Sequence, residues 1–90
     1  MTAPEPWVIE VAGPARRALE RLPAKAVAPI VETFQAIAAN PQRLGKPLRF
    51  ELEGLFVARR GPYRIIYDIR ADEHAVTIVA IGHRADVYRT

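Results

Sequence analysis

The stretch Ala58-Arg59-Arg60-Gly61-Pro62-Tyr63-Arg64 decides the reading of this 90-residue chain. Gly61-Pro62 between two strand-like runs reads as the two-residue loop of a β-hairpin. In that register Arg60 faces Tyr63 and Arg59 faces Arg64. Like charges directly opposite each other on a sheet repel, so a fold that keeps them together invites an anion between them. The planar guanidinium fork suits a phosphate better than any other side chain. Twenty residues beyond Arg64 the chain closes with Gly82-His83-Arg84-Ala85-Asp86-Val87-Tyr88-Arg89. That tail adds an imidazole, another fork and a phenol. Together these residues predict a phosphate-handling site on a small sheet.

Working outward, residues 55–60, 63–70 and 76–82 are strand-like, and the last two are separated by the turn Ala71-Asp72-Glu73-His74. Period-2 alternation puts Tyr63, Ile65, Tyr67 and Ile69 on one face, which is fit to receive helices. Arg64, Ile66 and Asp68 fall on the other face, with Val57 and Arg59. Residues 76–81 are almost wholly apolar, as in an interior strand covered on both faces. Residues 42–46 read as loop and 48–52 as extended. Upstream, Trp7-Val8-Ile9-Glu10-Val11 is a short β-branched strand, and Gly13-Pro14 opens a helix with Pro14 in its first turn. Ala15, Ala18, Leu19 and Leu22 form its apolar stripe, and Pro23 closes it. Val27, Ile30, Val31, Phe34, Ile37 and Ala38 mark a second helix, ended by Asn40-Pro41. Pro29 belongs in its first turn or kinks it. The expected fold class is α+β: an N-terminal strand, a helical hairpin, then an antiparallel run of strands, with the helices on one face of the sheet. Residues 1–90 are expected to form a single domain, with 1–6 as a flexible tail.

Composition narrows the function classes. Half of the residues are apolar and 26% are charged, so disorder by composition is excluded. No apolar run approaches the ~20 residues that span a bilayer, and no basic segment precedes an apolar stretch at the start as in a signal peptide. The cytoplasm is the expected compartment. With no cysteine, disulfides, zinc ribbons and cysteine nucleophiles drop out. The net charge of +3 lies wholly in residues 43–90 and is mostly arginine. That bias favours a phosphate-bearing or acidic partner. His74, beside Asp72 and Glu73, reads as a solvent-exposed turn residue.

The order strand, helix, helix, antiparallel strands resembles the RelE/ParE superfamily of bacterial toxins, in its RelE-like branch. Four segments carry the resemblance: Ala15-Arg16-Arg17-Ala18-Leu19-Glu20-Arg21-Leu22-Pro23; Leu44-Gly45-Lys46-Pro47-Leu48-Arg49-Phe50-Glu51-Leu52-Glu53-Gly54; the hairpin from Ala58 to Tyr67; and the closing run from Gly82 to Arg89. The resemblance implies a ribosome-dependent mRNA endonuclease of a type II toxin–antitoxin system. Such an enzyme cuts in the ribosomal A site without metal or cofactor. It is silenced by a cognate RelB-like antitoxin, through which the complex binds operator DNA.

In that chemistry the 2′-hydroxyl attacks the adjacent phosphate. A base takes its proton, an acid serves the leaving 5′-oxygen, and cations offset the charge of the phosphorane-like transition state. By resemblance, Arg64 is the hairpin phosphate clamp and Arg84 the second clamp. Arg59 is the basic residue of the strand that enters the hairpin, and Tyr88 is the C-terminal aromatic that stacks on a base or donates to the leaving oxygen. Arg60 should point to the opposite face, in a structural or rim position. His83 is the natural acid–base candidate, since its ordinary pKa lies near 6.5. Relatives commonly carry lysines on the entering strand, where this chain has Val57, Ala58 and Arg59. Arginine gives up a proton poorly, so the base stays open between His83 and a carboxylate such as Glu51 or Glu53. Two other readings share the fold: a ParE-like inhibitor of DNA gyrase, and a catalytically inactive antitoxin-binding module.

Overall fold

The computed structural model describes residues 5–88. β1 (Val8–Val11) leads into α1 (Gly13–Arg21) and α2 (Ala24–Ala39), followed by a short helical turn α3 (Pro41–Leu44). The remaining strands are β2 (Lys46–Pro47), β3 (Leu55–Arg60), β4 (Tyr63–Arg70) and β5 (Ala75–His83). They form one sheet in the order β1-β5-β4-β3-β2. All neighbours are antiparallel except β1, which runs parallel to β5 after the helical crossover. The α+β expectation holds.

The helices pack on the Tyr63 face. Ala15, Ile30, Phe34 and Ile37 meet Ala58, Ile65, Tyr67, Val76, Ile78 and Ile81 in one buried cluster. Pro14 sits in the first turn of α1, where its missing N–H costs nothing. Pro29 is the sixth residue of α2 rather than part of its first turn. The helix nevertheless runs on unbroken, and Thr33 Oγ1 donates to the Pro29 carbonyl at 2.9 Å. At the N-terminus, Trp7 stacks on His74 with centroids 4.2 Å apart, and His74 Nε2 lies 3.0 Å from the Glu5 carbonyl. His74 is exposed, as expected, but it caps its turn in the left-handed region and anchors the entry of β1. Residues 1–4 of the expected tail, and Arg89 of the closing motif, lie outside the described residues.

The segment between α2 and β3 departs from expectation. Residues 48–52 are not a strand: the extended part is Lys46–Pro47, and Phe50–Leu52 form a 3₁₀ turn. Pro47 has no N–H for the ladder, and Phe50 takes a φ of +60° that no strand admits. Residues 42–46, expected as loop, include part of α3. Tyr67 fixes that segment. Its hydroxyl, fully buried, donates to the Pro41 carbonyl at 2.6 Å and accepts from the Gly45 N–H at 2.9 Å. Its ring lies parallel to Phe56 at 5.7 Å. Gly45 is required here, because a Cβ would strike the Tyr67 hydroxyl and come within 2.8 Å of the Val57 carbonyl.

Tyr67→Phe should leave one buried donor and one acceptor unmatched, costing about 1–3 kcal/mol. In a domain of this size that lowers Tm by roughly 4–8 °C per kcal/mol in a thermal melt. Burial pushes the Tyr67 hydroxyl above its ordinary 10.0, outweighing the opposite pull of the Gly45 N–H. The folded state therefore keeps a proton that the unfolded chain releases near pH 10. This contribution is fully present below pH 10 and declines as pH rises through the folded value. The stability gap between wild type and Tyr67→Phe should accordingly narrow in alkaline urea titrations.

Candidate active site

Hairpin geometry sets the site. Gly61 takes φ +56° and the Pro62 ring holds its own φ negative, the type II′ pattern that suits a two-residue loop. The resulting register pairs Arg59 with Arg64 and Arg60 with Tyr63. Arg60 therefore leaves toward the helices and meets Glu32 of α2 at 3.0 Å. That exposed pair contributes at most about 1 kcal/mol, but it removes one arginine from the other face, as the alternation implied.

On that other face Arg64 folds toward the hairpin tip. Its Nη1 donates to the Tyr63 carbonyl at 2.9 Å and to the Gly61 carbonyl at 3.1 Å. These bonds fix the direction of the guanidinium, and among the described residues its second terminal nitrogen has no partner. Among the described residues, no carboxylate pairs with Arg59, Arg64 or Arg84. Lys46 joins them. It pairs with Val57, two residues from Arg59 on the same face, and lines the same shallow cavity as Arg59. The ammonium that the entering strand lacks is thus supplied from the neighbouring strand, a position that a two-residue strand hides from periodicity.

The tail reaches this face through a register shift. Ile66 pairs with Ala80 and Tyr67 with Ile78, so Val79 is an extra residue in β5. Continued without the bulge, the ladder would set Ile81 opposite Arg64. With it, Gly82 stands there. Gly82 has no side chain on the arginine face, and Val87 occupies the space, 3.4 Å from where a Cβ would be. The Asp86 and Val87 N–H groups donate to the His83 carbonyl, and the Arg84 N–H donates to the Pro62 carbonyl at 2.8 Å. The turn carrying Arg84 and Tyr88 is thereby sewn to the hairpin loop beside Arg64, with Tyr88 half exposed.

His83 is not brought to the same place. It pairs with Tyr63, on the face opposite Arg64, and its ring meets Tyr63 edge-on at 6.3 Å. Its Nδ1 accepts the Ala85 N–H at 3.2 Å, which leaves Nε2 as the protonated nitrogen of the neutral ring. Glu51 and Glu53 lie in the loop at the opposite end of β3 from the hairpin tip. The assembled face is therefore cationic, with Arg59, Arg64 and Lys46 on the sheet and Arg84 and Tyr88 on the turn beside it. Such a face has the chemistry to bind and neutralise a phosphate.

Residues 9–88 match the family described as the ParE toxin of type II toxin–antitoxin systems. The chain belongs to the RelE/ParE toxin superfamily. It is 45% identical to toxin RelG of Mycobacterium tuberculosis over 85 residues, covering 93% of this chain and 98% of that protein. It is 46% identical to toxin RelE of the same organism over 90 residues, covering 99% and 93%. Its fold superposes with a TM-score of 0.83 on the toxin–antitoxin complex RelBE2 from M. tuberculosis, at 42% identity over 88% of this chain and 99% of the solved one. The isolated E. coli RelE toxin has the same fold, with a TM-score of 0.73 at 11% identity over 86% and 83% of the two chains. These likenesses place the chain in the RelE-like branch, as a type II toxin.

Gly82→Val should push Val87 off the sheet and loosen the turn. In hydrogen exchange, the Asp86 and Val87 amides should lose protection while those of β4 keep it. Gly82→Ala, whose Cβ meets only ordinary contact, should behave as wild type.

Proposed function

We propose that this toxin is a ribosome-dependent endoribonuclease that cleaves mRNA in the A site. The observation that carries the reading is the facing pair Arg59 and Arg64, with no carboxylate on either among the described residues, extended by Lys46 on one side and by the Arg84–Tyr88 turn on the other.

The 2′-oxygen attacks the adjacent phosphorus, the bond to the 5′-oxygen breaks, and the products carry a 2′,3′-cyclic phosphate and a 5′-hydroxyl. Arg64, aimed by its two carbonyl bonds, clamps one non-bridging oxygen, and Arg59 the other. Lys46 and Arg84 add charge where the pentavalent phosphorus becomes most anionic. Tyr88 stacks on a displaced base or hands its proton to the leaving oxygen. Among the described residues no carboxylate pairs with these cations, Asp68 shares the face only further along β4, and His83 is turned to the opposite side. The ribosome therefore contributes to orienting the 2′-hydroxyl and accepting its proton. No metal or other cofactor is needed in this scheme.

The chain acts as one domain in the cytoplasm, and its partner is a RelB-like antitoxin. The complex of the M. tuberculosis relative supports that pairing, and the uncovered cations suit an acidic segment of such a protein. Operator DNA is contacted through the antitoxin.

The test is 5′-end mapping of an mRNA in a reconstituted translation reaction. Wild-type protein should leave 5′-hydroxyl ends inside A-site codons only when ribosomes are present. Arg64→Ala should lower the cleavage rate by about 10²–10³, the range for removing one transition-state donor, and should keep its thermal stability. An intact mRNA with folded wild-type protein rejects cleavage and turns attention to gyrase inhibition.

A further inference from the structure

Phe50 combines two features that seldom occur together. Its φ is +60°, in the left-handed region where a bulky side chain crowds its own backbone. The residue is also 91% exposed, so packing among the described residues neither offsets that strain nor shields the ring. The loop nevertheless holds the conformation firmly. The Leu52 N–H donates to the Arg49 carbonyl at 3.3 Å, the Glu53 N–H to the Phe50 carbonyl at 3.1 Å, and the Leu48 N–H to the Leu55 carbonyl at 2.8 Å. Backbone strain that the surroundings over-determine is concentrated at binding sites.

The surroundings indicate what is bound. Residues 43–49 contain Arg43, Lys46 and Arg49 and no acidic residue. Lys46 shares its sheet face and a cavity with Arg59. Lys46 thus extends the cationic face to the β2 edge, and Phe50 follows it along the chain by at most about 14 Å. At the ~3.4 Å rise of a stacked strand, that is at most about four nucleotides. Glu51 and Glu53, next in the sequence, repel phosphates. A protruding aromatic at the end of a basic track is the arrangement by which single strands are held, with the backbone on the cations and a base on the ring.

We propose that Phe50 is a stacking platform for an unpaired RNA base outside the cleavage centre. This inference rests on the RNA-cleaving reading. The base comes from the mRNA or from ribosomal RNA.

Binding of purified wild-type, Phe50→Ala, Phe50→Gly, Phe50→Trp and Arg64→Ala proteins is measured with three probes: a short single-stranded RNA, 70S ribosomes without mRNA, and a cognate antitoxin peptide. Phe50→Ala and Phe50→Gly should weaken RNA or ribosome binding about five- to hundredfold, and Phe50→Trp should restore it. Loss on the RNA oligonucleotide points to mRNA, and loss on empty ribosomes alone points to ribosomal RNA. Phe50→Gly, freed of the positive-φ strain, should melt no lower than wild type while binding poorly, which separates binding from folding. If Arg64→Ala weakens RNA binding and the Phe50 variants do not, this inference fails and the cleavage reading stands. If the wild type binds neither RNA probe, both fall. If the Phe50 variants lose only the antitoxin peptide, Phe50 belongs to a protein interface and the proposal is overturned.

Discussion

Strand register is the constraint on which this toxin's working face depends. Side chains alternate with period 2, so a slip of one residue moves every group to the opposite side of the sheet. Two local irregularities set that alternation. A positive φ at Gly61 closes the β3–β4 hairpin so that Arg59 and Arg64 oppose each other and Arg60 goes to Glu32. An extra residue at Val79 then shifts β5, so that the side-chain-free Gly82 lies beside Arg64 and the terminal turn can settle over it. Had either feature been absent, the same residues would be divided differently between the helix-covered face and the open one.

Tyr67 couples the two faces. Its hydroxyl is buried on the helix side, where it holds both Pro41 and Gly45. That grip decides where the chain leaves α3 and therefore where β2 joins the sheet. Lys46 reaches the neighbourhood of Arg59 only because the chain is pinned one residue earlier. The core and the cationic face are thus not independent, and damage to a buried phenol is transmitted to a charge on the opposite side of the sheet.

The architecture was largely legible in the sequence because its signals are local. Gly61-Pro62 announces a hairpin, and the 3.6-residue stripe of α2 survives even a proline at position 29. The alternation from Tyr63 to Ile69 separates core from open face, which is why the facing arginines and the opposite course of Arg60 follow from spacing alone. The features that escaped have no local signature. In the apolar run through Val79, any one residue looks like the next, so nothing marks the bulge or shows that His83 will share a face with Tyr63. A two-residue strand at Lys46 is too short for periodicity, and its position depends on Tyr67, 21 residues further on. The turn at Phe50 runs against the preference of its own residue, so propensity pointed to a strand.

The charge on the open face also limits what can lie on it. Two unit charges about 4 Å apart repel by roughly 1 kcal/mol in water and about 4 kcal/mol near a low-dielectric surface. Facing arginines therefore cost little while solvent screens them and considerably more once a partner displaces that solvent. A neutral or basic surface laid over Arg59 and Arg64 would strip their hydration and return nothing. Any macromolecule that covers the face has to bring its own anions, placed between the two guanidinium groups. An RNA does this with phosphates, and an acidic protein segment does it with carboxylates. Under the proposed function, substrate and inhibitor would be selected by the same repulsion, and an occupant of one kind would exclude the other without any change in the shape of the sheet.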